Sequence, residues 1–193
     1  MAEAEQVAPA GQFNQQSGCD GDAMSNYFIR EAEPDDAEPL LAYMDQFLRE
    51  PDGQNPLAAD EFDLTVPQER EFLTGMAERE NAIFLLALAE GVIVGEAGLT
   101  GGNRRSNRHC ARLGISVRRD WRDRGVGTAL LQEAIQRARQ GGVVTRIELN
   151  VFTSNARAIH VYEKLGFRKE GVRRRAMLIQ GVYVDGLIMA LLL

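Results

Sequence analysis

The chain has 193 residues, 45% of them apolar, which is enough for one substantial core and short for two. No apolar run approaches the ~20 residues of a membrane-spanning helix, and the N-terminus has neither a basic start nor an apolar h-region, so a soluble, unexported protein is expected. The formal charge is −6, and the two cysteines, Cys19 and Cys110, suggest neither a disulfide framework nor a metal cluster, so a reducing cytoplasm fits best.

Residues 1 to 26 are rich in Ala, Gly, Gln and acids and nearly devoid of large apolar groups. They cannot offset the entropy of ordering and read as a mobile tail ahead of one domain, 27–193. Their acids, Glu3, Glu5, Asp20 and Asp22, are matched by no Lys or Arg, and the rest of the chain carries only −2. Met24 stands just before the first strand-like segment, so the tail also reads as an upstream extension from a start-site assignment; an intact mass giving a start at Met1 would rule that out.

Tyr27 to Arg30 reads as a strand, and Pro34-Asp35-Asp36 supplies capping chemistry for a helix with Leu40, Leu41, Met44 and Leu48 on one face. Pro51 to Pro67 reads as a loop, and Thr65 with Pro67-Gln68-Glu69-Arg70 as a second helix start leading to Phe72, Leu73 and Met76. The apolar runs Ala82 to Leu88 and Val92 to Leu99, joined at Glu90-Gly91, predict a hairpin. After the polar loop Gly101 to Asn107, a strand is expected over His109 to Val117. The next helix covers Thr128 to Arg139, buries Leu130, Leu131, Ala134, Ile135 and Ala138, and stops at Gly141-Gly142. In the strand Arg146 to Val151, Ile147, Leu149 and Val151 alternate with Glu148 and Asn150, which share the opposite face. Ser154 or Asn155 caps a helix stopped by Gly166, and Arg173 to Ile179 and Val184 to Leu192 close a hairpin at Gln180-Gly181. The class is α+β, with one mixed central sheet.

The strand–helix junction Arg122-Asp123-Arg124-Gly125-Val126-Gly127 reads as a phosphate cradle. Its glycines let the backbone turn and approach a ligand, and the following helix N-terminus offers unpaired N–H groups to an anion. A plain tight turn would look similar. Charge supports the cradle: eight arginines lie between Arg104 and Arg124 against Asp120 and Asp123, whereas Glu31 to Asp63 holds eleven acids against Arg49 alone. Apart from Trp121 the basic stretch has no interleaved aromatics, and the chain is acidic overall, so nucleic acid is not the expected partner.

Further on come Asn155-x-x-Ala158-Ile159-x-x-Tyr162 and Gly166-Phe167. With Arg122-x-x-Gly125-x-Gly127, in this order and spacing, they resemble the GNAT superfamily of acyl-coenzyme A-dependent N-acyltransferases over about residues 27 to 192. The resemblance implies the GNAT fold, a mixed sheet of about seven strands with about four helices. It also implies acetyl transfer from acetyl-coenzyme A to a primary amine by direct attack in a ternary complex, without a metal. Backbone near Ile115 and Val117 would meet the pantetheine arm. Arg122, Arg124, Gly125, Val126, Gly127 and Thr128 would hold the pyrophosphate, and Asn155 the pantetheine or phosphate region unless it only caps its helix. Tyr162 would protonate the departing thiolate, or it is an ordinary buried tyrosine.

For the general base, Glu148 is the first candidate and Glu96 the second, although Glu148 could equally pair with an arginine. In the ribosomal-protein branch of the family a glutamate stands where this chain has Asn150, which cannot take a proton. His109 and His160 read as structural and exposed, and Cys110 as a small core residue. The first helices wall the acceptor site in this family, and their acids weakly favour a cationic amine, although a solvated acidic face is the more frequent explanation of such runs; the resemblance leaves an amino acid, a polyamine and a protein N-terminus open as acceptors. A homodimer is the family-level expectation. The alternative is a coenzyme A-binding regulatory module that has lost catalysis. A Rossmann dinucleotide site would need a third glycine where Leu130 stands.

Overall fold

The computed structural model describes residues 27–51, 57 and 59–193, so the expected tail, Met24, Cys19 and part of the Pro51 to Pro67 loop lie outside it. Strand β1 (Phe28–Glu31) is followed by helices α1 (Ala37–Leu48) and α2 (Val66–Ala77), and then by β2 (Ala82–Ala89), β3 (Val92–Gly101) and β4 (Cys110–Val117). Helix α3 (Val126–Gly141), β5 (Arg146–Phe152), α4 (Ala156–Lys164), β6 (Arg168–Ile179) and β7 (Val182–Leu192) complete the chain. The element order is the expected one. One seven-stranded sheet runs β1-β2-β3-β4-β5-β7-β6, antiparallel except for the central β4–β5 pair.

Local chemistry sets the element ends. Thr65 and Gln68 close a capping box at α2, with Thr65 N–H donating to Gln68 Oε1 at 2.9 Å. The αL residue Gly142 (φ 67°) ends α3. Glu90-Gly91 and Gln180-Gly181, all at positive φ, make the two hairpin turns. Strand β6 begins at Arg168, five residues before the expected Arg173, because it is an edge strand exposed along nearly its whole length and has no apolar alternation to announce it.

Two cores lie on opposite faces of the sheet. Leu85, Ala87 and Ala89 of β2 pack into the larger one with Leu130, Leu131, Ala134, Ile135 and Ala138 of α3 and Ile147, Leu149 and Val151 of β5. Leu86 and Leu88 point the other way, to Leu40 and Tyr43 of α1 and Leu73 of α2. On α1 the buried face is Ala37, Leu40 and Tyr43, whereas the expected Leu41 and Leu48 are only half-buried. The α1 face is therefore rotated, and it presents a tyrosine hydroxyl to the sheet. A bulge inserts Val94 of β3 opposite the Ala87/Leu88 step, two residues before Glu96.

Candidate active site

Strands β4 and β5 pair only from Cys110–Arg112 against Arg146–Glu148, although β4 continues to Val117 and β5 to Phe152. Beyond that point the parallel pair splays. Arg118 N–H donates to Val94 O of β3, so by strand alternation Ile115 and Val117 turn their peptide groups toward the splay. Val117 O accepts from Arg122 Nε at 2.9 Å, which leaves its N–H for another partner.

The splay opens into a cleft of about 420 Å³ lined by Ile115, Ser116 and Val117 of β4, Gly125, Gly127 and Thr128 at the start of α3, and Asn155, Ala158 and Tyr162 around α4. Gly125 takes φ 80° as the N-cap of α3, and the first helical bond runs from Ala129 N–H to Gly125 O. The N–H groups of Val126, Gly127 and Thr128 thus precede the helical ladder and carry the positive end of its dipole. A Cβ at Gly127 would lie near Val117 Cγ2 and Ile115 Cδ1, two residues of the cleft wall.

The long basic side chains are engaged within the fold, and Arg122 also lines the cleft. Arg122 reaches back to Val117 O and to Glu50, and its guanidinium carbon is 5.9 Å from the Phe47 ring centre. It ties the end of α1 to the turn, and Glu50 also accepts Arg119 N–H at 2.8 Å. Arg124 lies over Trp121, 5.1 Å from its ring centre. Val126 is buried in the larger core, so only its backbone is available to a ligand. Arg157, absent from the sequence reading, lines the cleft and pairs with Asp123 at 3.2 Å. Its place in the first turn of α4 was the available clue.

Asn155 caps α4, its Oδ1 accepting Ala158 N–H at 3.1 Å, while its amide NH₂ has no partner among the described residues. Tyr162 is 7% exposed, packed against Phe167 at 5.7 Å, and lines the cleft. Among the described residues its hydroxyl has no hydrogen-bond partner. Burial pushes the phenol up to about 12, so it is fully protonated at neutral pH. A buried, orphaned O–H is costly unless something in the cleft accepts it.

The two candidate bases separate. Glu148 is the last residue of β5 paired with β4, lies 3.5 Å from Arg146, and is not part of the cleft wall. It interacts with Cys110, whose thiol is pushed up chiefly by burial. Glu96, paired with Ser116 across β3 and β4, accepts Ser116 Oγ–H at 2.8 Å. Burial raises its carboxyl to about 7, opposed by the Ser116 bond and aided by the charge of Glu69. Sequence reasoning missed Ser116, whose strand position between Ile115 and Val117 puts its side chain on the α1 face.

Comparison with known proteins gives the chain its class. The acetyltransferase (GNAT) family model matches residues 27–167, and the chain belongs to that family. It is 34% identical over 167 residues to the L-amino acid N-acetyltransferase AaaT of Escherichia coli (strain K12), covering 86% of this chain and 98% of that one. A GNAT-family acetyltransferase from Streptococcus pneumoniae superposes with a TM-score of 0.84 at 36% identity, over 87% of this chain and all of that one. A Salmonella typhimurium acetyltransferase crystallised with acetyl-coenzyme A shares the fold at a TM-score of 0.76 and 18% identity, over 87% of this chain and 94% of that one. The protein is an acyl-coenzyme A-dependent N-acetyltransferase, and acetyl-coenzyme A is its co-substrate.

Proposed function

We propose that this enzyme acetylates the α-amino group of free L-amino acids, with Glu96 as general base and Tyr162 as the proton donor to sulfur. The observation that carries the site assignment is the buried, unpartnered Tyr162 hydroxyl in a cleft that begins at the N-terminus of α3. The acceptor class rests on the likeness to AaaT along nearly its whole length. The unpaired N–H groups at the start of α3 receive the pyrophosphate, and the Ile115 and Val117 peptides, with the Asn155 amide, receive the pantetheine arm. Arg122, which lines the cleft, braces the cradle through its pairing with Glu50, while Arg124 lies over Trp121.

The amine must be neutral to attack, and the α-ammonium of a free amino acid, beside its own carboxylate, holds its proton more tightly than a peptide N-terminus with its reference pKa of about 8. Glu96 takes that proton as a carboxylate. The amine lone pair then forms the C–N bond, the C–S bond breaks, and Tyr162 delivers its proton to sulfur while recovering the excess proton of the new amide nitrogen. Glu148 keeps a structural place beside Arg146.

Because the base works ionised, kcat/KM for the acceptor rises with pH through about 7 and is lost as pH falls below it. Glu96→Gln is expected to lower this constant about tenfold at pH 7 and to remove that inflection. Initial rates of thiol release from about pH 5.5 to about pH 9 check this, and an unchanged profile would dismiss Glu96.

A homodimer is supported by exposed Val172, Leu178, Val182 and Tyr183 on the β6–β7 hairpin. Light scattering should then give twice the chain mass. Cys110, which has no disulfide partner among the described residues, accords with action in the reducing cytoplasm.

A further inference from the structure

Glu96 is not part of the cleft wall, whereas Ser116, its hydrogen-bond partner, is. We infer that Ser116 is a catalytic proton relay between the acceptor amine and Glu96, and that Tyr43 is a positioning residue holding its hydroxyl in the relay orientation. The inference rests on the assignment of Glu96 as base.

The hydrogen-bond count fixes the direction. A serine hydroxyl has one proton and two acceptor sites, and a carboxylate only accepts. Ser116 Oγ lies 2.8 Å from Glu96 Oε1 and 2.8 Å from Tyr43 Oη. Its one proton goes to Glu96, so the Tyr43 hydroxyl must donate to Ser116. That leaves Ser116 Oγ one further lone pair, on a residue that lines the cleft, for an acceptor N–H. Tyr43 can hold this role because it is buried at 4% exposure and stacks on Phe47 at 6.1 Å. Burial, then the charge of Glu96, pushes its phenol well above the usual range, so it stays a donor.

The step balances. One N–H proton of the acceptor ammonium passes to Ser116 Oγ while the Ser116 proton passes to the Glu96 carboxylate, giving a neutral amine, an unchanged serine and a protonated Glu96. The groups around Glu96 are Tyr43 from α1, Glu69 from α2 and Ser116 from β4, with Glu50 and Arg122 beyond Tyr43. Glu69 is 6% exposed, and its side chain has no partner among the described residues. No Lys or Arg is paired with Glu96 among the described residues, so the proton it accepts meets no competing cation.

The test uses the full chain with Ser116→Ala, Ser116→Thr, Tyr43→Phe, Glu96→Gln and the Ser116→Ala/Glu96→Gln double variant. The acceptor probes are an equimolar mixture of L-amino acids without cysteine, whose thiol would react with the thioester unaided, and, in parallel, a peptide with a free alanine N-terminus. Thiol release is followed where rate is linear in acceptor, and calorimetric binding of acetyl-coenzyme A reports that each variant is folded. Ser116→Ala is expected to lower the rate constant about tenfold and to lose the inflection near 7, as Glu96→Gln does. The double variant should be no worse than either single one, since residues acting as one unit are not additive. Ser116→Thr should restore most of the rate, and Tyr43→Phe should cost less than Ser116→Ala while keeping the inflection. Wild-type rates in Ser116→Ala, or multiplicative losses in the double variant, would overturn the relay while leaving Glu96 as base. A normal Glu96→Gln would overturn both. Activity on the peptide alone would replace the acceptor class and leave the relay standing.

Discussion

Gly127→Asp is expected to abolish acetyl-coenzyme A binding without unfolding the protein. A Cβ at this position would lie 3.5 Å from Val117 Cγ2 and 3.9 Å from Ile115 Cδ1, ordinary contacts that ask nothing of the backbone. Gly127 is in the first turn of α3 with no positive φ, unlike Gly125, whose φ of 80° would strain any side chain. An aspartate in a first turn also favours the helix dipole by ~0.3–1 kcal/mol. Its carboxylate, however, would stand where the proposed site receives the pyrophosphate, and like charges set against each other cost several kcal/mol. A loss of at least ~3 kcal/mol corresponds to about 100-fold in Kd. Calorimetric titration should find this loss with thermal unfolding unchanged or raised. Undiminished affinity would place the phosphates elsewhere.

Tyr162→Phe is expected to lower turnover about 100-fold while leaving acetyl-coenzyme A affinity nearly unchanged. The ring packs in the larger core and would keep its place, so the change removes one oxygen from the cleft. With a phenol near 12 and a thiol near ~8.5, a bare proton transfer to sulfur is uphill by on the order of 5 kcal/mol. In the proposed mechanism Tyr162 therefore works as a bridge, giving its proton to the developing thiolate as it receives one from the amide nitrogen. Its hydrogen bond forms in the transition state, where the sulfur gains charge, so kcat falls and acetyl-coenzyme A Kd does not. Equal turnover in mutant and parent would remove Tyr162 from the reaction.

The place of both residues in the cleft was legible in the sequence because their clues are local. Gly125 and Gly127 sit between a strand and a strongly amphipathic helix, and Tyr162 lies at fixed spacing from the cap Asn155. The same locality made the buried face of α3 readable residue by residue. Alternation correctly put Glu148 on the face opposite Ile147 and Leu149, but it carries no information on where β4 and β5 part. That point falls just after Glu148, beside Arg146.

The directions of Arg122 and Arg124 were also beyond local patterns, since a long side chain turns toward whatever the fold brings near it. Glu50, 72 residues away in the chain, captures Arg122. The Tyr43–Ser116–Glu96 chain was hidden for the same reason: its links span 73 and 20 residues, and α1 had to rotate Tyr43 inward to complete it.

The most direct test of the central claim is to incubate the protein with acetyl-coenzyme A and, separately, L-amino acids, polyamines and an alanine-initiated peptide, measuring free thiol and the N-acetylated amine by mass spectrometry. Thiol and N-acetyl amino acid should form in equal amounts with the wild type and not with Gly127→Asp. Tight acetyl-coenzyme A binding with no acetylated amine from any of the three classes would contradict catalysis at this cleft.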